Sequence, residues 1–254
     1  GLPAEPFVDR PHSHPPCVGT APGDRDVRTV GGALTEAIGT VLRTPVEITC
    51  AGRTDAGVHA WGQVVSFPAP ADCDPERLAG SLNSMLGPEV VVRDARLVPG
   101  AFDARFDAQW RRYRYTIVNR PVPDPFMSRF AWHVPKPLDL RALHLAADVF
   151  VGEHDFAAFC RKGPEGSTMV RRVLQSQWFD DGDGRLRYEV QATAFCWQMV
   201  RSIVGILVEA GLGRRRPGEL LSILRAGDRS AATHLAPPHG LCLWEVGYDE
   251  PARP

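Results

Sequence analysis

The chain has 254 residues, 44% of them hydrophobic and 23% charged, enough to bury a core in one large domain or two small ones. Its formal net charge of -1 and pI near 6.8 do not announce nucleic-acid binding, so such a role must rest on where the cations gather. Six cysteines (Cys17, Cys50, Cys73, Cys160, Cys196 and Cys242) form no C-x-x-C pair, which argues against a zinc knuckle and for reduced thiols, no disulfide and a cytoplasmic location.

Residues 1–27 are rich in Pro and Gly, show no basic-then-apolar signal pattern and are expected to be poorly ordered. His12, His14 and Cys17 in that segment are too few to hold a metal, and neither a metal site nor a cofactor is expected. Val30, Ala33, Leu34, Ala37, Ile38, Val41 and Leu42 then recur at helical spacing until Pro45 stops the run. Residues 46–50 (VEITC) and 63–67 (QVVSF) read as strands, which leaves AGRTDAGVHAWG as the loop between them.

Asp74-Pro75 is a helix start with Leu78, Leu82, Met85 and Leu86 on its buried face, and Gly87-Pro88 closes it. Residues 89–98 and 109–119 are β-rich, and prolines 121, 123 and 125 mark a crossover. That sets an expected division into an N-terminal segment 1–27, an α/β subdomain 28–120 carrying the loop, and a second α/β subdomain 121–250. The second half predicts a helix over 138–150, strands over 170–179 and 185–195 joined by DDGDG, and a long helix from about Gln198. A helix over 217–225 and a strand over 241–248 follow. Residues 203–212, the most apolar stretch, are too short to span a membrane and hold Glu209. Strands separated by helices in both halves predict two α/β units, each a sheet with helices on one face.

The loop at residues 51–60 (AGRTDAGVHA) sets an acid, a base and a histidine among glycines, a device that can present a carboxylate to a cleft. By composition alone Asp55 more readily reads as the cap of a turn, with Arg53 solvating its rim. Asp103 and Asp107 could supply a second carboxylate, but no spacing fixes their distance, so a paired-acid hydrolase is not supported.

Residue by residue this decamer resembles the signature of the tRNA pseudouridine synthase A family, and four more segments match in order. They are FDARFDAQWRRYRY (102–115), GEHDFAAF (152–159), FCWQMVRSIVGILVEAG (195–211) and APPHGLCLWEVGY (236–248). Five segments in order over residues 28–248 do not arise by accident. The resemblance implies an α/β (α+β) fold of two pseudo-symmetric ferredoxin-like, RRM-like subdomains whose antiparallel sheets flank a basic RNA-binding cleft. It implies isomerisation of uridine to pseudouridine at positions 38, 39 and 40 in the anticodon stem-loop of tRNA, by a cytoplasmic homodimer without cofactor.

It also implies site residues. Asp55 matches the family's nucleophile, a role that needs an ionised carboxylate, and Arg201 of the MVR segment matches the arginine that pairs with it. Tyr113 matches the active-site tyrosine that stacks on the flipped uracil, with Tyr115 on the same face as its control, although strand tyrosines commonly serve the core. Leu241 would floor the base, though a strand leucine is ordinarily core. Arg53 is the candidate to fill the gap left by the flipped base, and His59 could do likewise or be structural. Backbone grip is expected from Arg105 with Arg111, Arg112 and Arg114, from Arg161 with Lys162, from Arg171 and Arg172, and from Arg214, Arg215 and Arg216.

The strand and loop that usually precede the family's first helix have no counterpart before Arg28. A sheet lacking that strand leaves backbone groups unpaired, which makes a catalytically weak or inert tRNA-binding relative the alternative. A small-molecule hydrolase with an aspartate nucleophile is a third reading, opposed by the arginine clusters and the missing second acid.

Overall fold

The computed structural model describes residues 28–161, 166, 168–232 and 234–248; residues 1–27, with His12, His14 and Cys17, and Lys162 lie outside them. In chain order the elements are α1 (Val30–Leu42), β1 (Thr49–Cys50), β2 (His59–Ala60), β3 (Val65–Ser66), α2 (Pro75–Leu86), β4 (Trp110–Val118), β5 (Trp132–His133), α3 (Leu140–Asp148), β6 (Gly152–Asp155), β7 (Val170–Asp180), β8 (Arg185–Ala192), α4 (Met199–Gly211), α5 (Pro217–Ala226) and β9 (Leu241–Gly247). Mixed α/β architecture is therefore present, with antiparallel and mixed sheets. No described helix is long and apolar enough to cross a membrane.

The described residues form two compact units, one within residues 28–50 and 65–102, the other within residues 51–64 and 103–248. In the first unit α1 begins at Thr29, whose hydroxyl accepts from the Gly32 N–H, and α2 begins at Asp74, whose carboxylate accepts from the Glu76 and Arg77 N–H groups. The stop of α1 is Arg43, in the left-handed region at φ 54, rather than Pro45. Leu34, Ala37 and Ile38 pack with Ile48, Leu78 and Leu82 into a small core.

The expected strands at 46–50 and 63–67 shrink to the two-residue antiparallel pair β1 and β3. Residues 89–98 form no strand: the Asn83 side chain accepts from the Val92 N–H at 2.6 Å and donates to its carbonyl at 2.9 Å. A β-rich composition without a partner ladder leaves the backbone to whichever side chain reaches it.

The second unit is a seven-stranded sheet in the order β2-β9-β4-β8-β7-β6, with β5 parallel to β4 at Ile117 and Val118. Strand β4 is antiparallel to both neighbours and carries Tyr113, Tyr115 and Ile117 inward. Three short strands were not expected from sequence: β2, β5 and β6 are too brief for a period to show.

Helix α4 is buried on nearly every side, which is why a Val- and Ile-rich segment of modest helix propensity is helical. Gly205 on that helix lets residues 234–236 cross it, for an added Cβ would collide with the His234 carbonyl oxygen and lie 2.8 Å from its carbon. Gly205→Ala is expected to cost stability by about 2 kcal/mol net, because forcing backbone apart outweighs the roughly 1 kcal/mol helix-propensity gain of alanine. Denaturant unfolding of the two proteins checks this, and equal midpoints would contradict it.

Candidate active site

The loop between β1 and β3 leaves the first unit's strands and joins the second unit's sheet. At its start Arg111 donates to the Ala51 carbonyl through Nε at 3.2 Å and Nη2 at 2.9 Å, and the Gln63 amide brackets Gly52 by accepting from its N–H and donating to its carbonyl. At its end β2 runs parallel to β9, with His59 opposite Cys242. Trp61 and Gly62 then both donate to the Leu243 carbonyl, at 2.8 and 3.1 Å. Gly62 sits where a side chain would meet the Trp244 carbonyl and, at 2.9 Å, the Glu245 Cα. A segment legible as a plain connection is thus clamped at both ends.

Between the clamps, the Val58 N–H donates to the Asp55 carbonyl at 3.0 Å, and Gly57 takes φ 80, a left-handed value that suits glycine. The turn employs the backbone of Asp55, not its carboxylate. The carboxylate reaches the start of α4, where Oδ2 accepts from Arg201 Nη1 at 3.0 Å and Oδ1 accepts from Trp197 Nε1 at 2.8 Å. The side chain of Arg201 is 13% exposed and that of Asp55 23%, so the pair is partly withdrawn from water. Arg201 is itself fixed, its Nε donating to the Ala236 carbonyl at 2.8 Å while its own carbonyl accepts from the Ala236 N–H at 3.1 Å.

Tyr113 is buried, edge-on to Phe195 with ring centroids 5.0 Å apart. Its hydroxyl lies beside Gly52, where a Cβ would come within 3.6 Å of it. Burial pushes its phenol up to about 12; the negative charge of Asp55 pushes the same way and the Arg111 guanidinium pulls it back. The hydroxyl is therefore protonated at neutral pH and can donate. Tyr115, on the same face, has a structural task, its hydroxyl donating to the Pro237 carbonyl at 2.8 Å.

The other singled-out residues are dispersed. Arg53 is exposed on the loop, and Arg105 is exposed with its guanidinium 5.6 Å from the Phe106 ring. A ring nitrogen of His59 bonds the Arg129 carbonyl at 2.7 Å, and its ring lies 4.9 Å from that of Phe130. Leu241 is buried in the core of the second unit, opposite Tyr115. Trp197 is not among the residues that the sequence singles out: it stands in the turn before α4, where helical spacing does not apply and only the fold aims it at Asp55.

The arginine runs separate into two kinds. Arg112 binds Gln191 and Glu245, Arg114 lies 3.6 Å over the Trp244 ring and pairs with Glu189, and Arg187 pairs with Asp181 and with the same Glu189. Arg111 and Arg171 spend their donors on backbone carbonyls, and Arg215 on Glu209 and the Ala231 carbonyl. Arg161, Arg172, Arg214 and Arg216 are exposed.

The expectation of no disulfide is corrected, because Cys160 and Cys196 are paired with Cα atoms 5.7 Å apart. The fold brings the end of the 3-10 turn at Ala157–Phe159 against the segment leading into α4, where the Arg161 N–H also donates to the Trp197 carbonyl at 2.9 Å. Sequence spacing carries no trace of that meeting. Among the described residues no group of His, Cys, Asp and Glu could hold a metal ion.

Comparison with known proteins agrees with this geometry. A family model described as tRNA pseudouridine synthase matches residues 146–249. A tRNA pseudouridine synthase A from Methylacidiphilum infernorum is 44% identical over 224 residues, covering 88% of each chain. The corresponding protein of Leifsonia xyli is 42% identical, over 88% of this chain and 84% of its own. That of Bacillus subtilis is 37% identical, over 87% and 90%. Identity of this degree along nearly the whole of each relative, with an aspartate, an arginine and a tyrosine gathered at one loop, has one reading: the chain belongs to the tRNA pseudouridine synthase A family, enzymes that isomerise uridine in tRNA.

Proposed function

We propose that this enzyme converts uridine to pseudouridine at positions 38, 39 and 40 of the anticodon stem-loop, with Asp55 as the nucleophile. The observation that carries the reading is the Asp55 carboxylate, presented on a glycine turn and charge-paired with a partly buried, backbone-anchored Arg201. In the reaction the N1–C1′ bond of the nucleoside breaks, the uracil turns while held, C5 bonds to C1′, the C5 proton leaves and N1 regains one. Nothing is oxidised and nothing is lost, so the chain's own side chains suffice and no cofactor enters.

A base within a folded RNA must first be extruded, at a cost on the order of a few kcal/mol. Exposed Arg53 is suited to stack in the vacated place, and Tyr113 to face the uracil with a protonated hydroxyl. Leu241, opposite Tyr115 in the neighbouring strand, is suited to floor the base, and Arg105 and His59 to border the path of the RNA. We place the enzyme in the cytoplasm as a homodimer whose two subunits share the tRNA, gripped through exposed arginines including Arg214 and Arg216.

Asp55→Ala and Asp55→Asn are expected to abolish pseudouridine formation while tRNA affinity stays within about tenfold, since binding is spread over many phosphates. Carbodiimide-stop mapping of the product and filter binding measure the two; substantial turnover by either variant removes Asp55 from the role. Replacing Arg214 and Arg216 by Ala should weaken binding and reduce the salt slope by about one for each phosphate no longer neutralised, with single-turnover chemistry intact once tRNA is saturated. An unchanged slope would return both to a merely solvated surface.

Neighbouring positions 38 to 40 point different ways around the helix, so one enzyme serving all of them reads the shape and flexibility of the arm rather than base edges. Compensated changes of the anticodon stem should leave activity largely intact, whereas an isolated stem-loop should react far more slowly than whole tRNA. Equal rates for the isolated stem-loop, or loss of reaction with compensated stems, would refute shape reading.

A further inference from the structure

The geometry points to Trp197 as a positioning residue for the reaction, the second of two donors that fix the plane of the Asp55 carboxylate. This rests on the reading of Asp55 as nucleophile. A carboxylate held at one oxygen can still rotate about its bond to Cβ. Here Arg201 holds Oδ2 and the Trp197 indole N–H holds Oδ1, at 3.0 and 2.8 Å. Two donors on two oxygens leave one orientation, and a nucleophile displaced by even about 1 Å loses on the order of a hundredfold in rate.

Core packing does not account for Trp197, because it is 52% exposed although tryptophan carries a large apolar surface. Its position is nonetheless fixed from several directions. The Arg161 guanidinium lies 4.3 Å over its ring and the Arg161 N–H donates to its carbonyl at 2.9 Å. Cys196, its neighbour, is paired with Cys160. Gln198, the next residue, takes φ 65 and turns the chain into α4, and its side chain accepts from Arg229 at 3.1 Å. Trp197 stands in the turn just before α4 and Arg201 in the first turn of that helix, so the two donors reach Asp55 from either side of the helix start.

An indole N–H is neutral and half in water, so it holds the carboxylate without neutralising it as a second cation would. That division suits a nucleophile: the arginine pairs with one oxygen, and the tryptophan fixes the direction of the other.

The test is single-turnover pseudouridine formation at saturating enzyme, alongside tRNA affinity by filter binding, for Trp197→Phe, Trp197→His and Asp55→Asn. Trp197→Phe keeps an aromatic ring beneath Arg161 but has no N–H, and should slow the chemical step by about tenfold to a hundredfold, the range for losing one hydrogen bond to a charged group. Its tRNA affinity should stay within about twofold, since every phosphate-binding cation is still in place. Trp197→His, which retains a ring N–H, should recover most of the lost rate. A wild-type single-turnover rate in Trp197→Phe overturns the proposal, as does a loss confined to affinity, which would make Trp197 an RNA-stacking residue instead. Equal damage from Phe and His would also overturn it. Asp55→Asn separates the two levels: if it is inactive while Trp197→Phe runs at the wild-type rate, only the role of Trp197 falls, and if it turns over, the nucleophile reading falls with it.

Discussion

The ion pair between Asp55 and Arg201 is neither buried like a core pair nor open like a surface one, for both side chains are partly withdrawn from water. Its value depends on the arginine being immobile, since a free guanidinium would follow solvent rather than hold a direction. Immobility comes from α4, whose Val, Ile and Leu side chains are buried all round, and from the Ala236 backbone, which both accepts from and donates to Arg201. Gly205 is part of the same device, because only a residue without Cβ lets the chain at 234–236 approach the helix closely enough to make those bonds.

The partner carboxylate is held by other means. Its loop is not supported by its own turn alone but by the ladder between β2 and β9, by the Gln63 amide around Gly52 and by Arg111 at Ala51. Where β9 pairs with β4 the register shifts past Trp244, and at that irregularity the N–H groups of Trp61 and Gly62 reach the Leu243 carbonyl. The bulge in β9 is thus met by the end of the loop, whose Trp61 and Gly62 N–H groups bond the Leu243 carbonyl. The loop can then be exposed where it carries Arg53 and rigid where it carries Asp55.

Charge is used economically. The arginines of β4 and β8 meet Glu189, Glu245 and Asp181 across the sheet, and one of these acids, Glu189, is buried while serving two arginines. Such pairs hold strands in register and place their cations on the protein rather than on a ligand. This reconciles an arginine-rich chain with a net charge of -1. The arginines that stay exposed include Arg53, Arg161, Arg214 and Arg216 outside the sheet and Arg172 on β7.

The long elements α1, α2, α4, α5, β4, β7 and β9 are legible in the chain itself, because each carries several periods of a hydrophobic pattern or a cap such as Asp74-Pro75. Five ordered segments also suffice for the family and single out Asp55, Arg201 and Tyr113 as a set. Pairing, by contrast, emerges only in three dimensions. Two-residue strands such as β2 have no period to read, and whether residues 89–98 find a ladder depends on a neighbour rather than on their own β-rich composition. Arg111, Arg112 and Arg114 look alike in a string, yet the alternation of a strand turns the first inward to the loop that carries Asp55 and the other two outward to acids. The pairing of Cys160 with Cys196 and the aim of Trp197 at Asp55 are likewise set by distant segments, since a side chain's chemistry is local but its partner is fixed by where the rest of the chain folds.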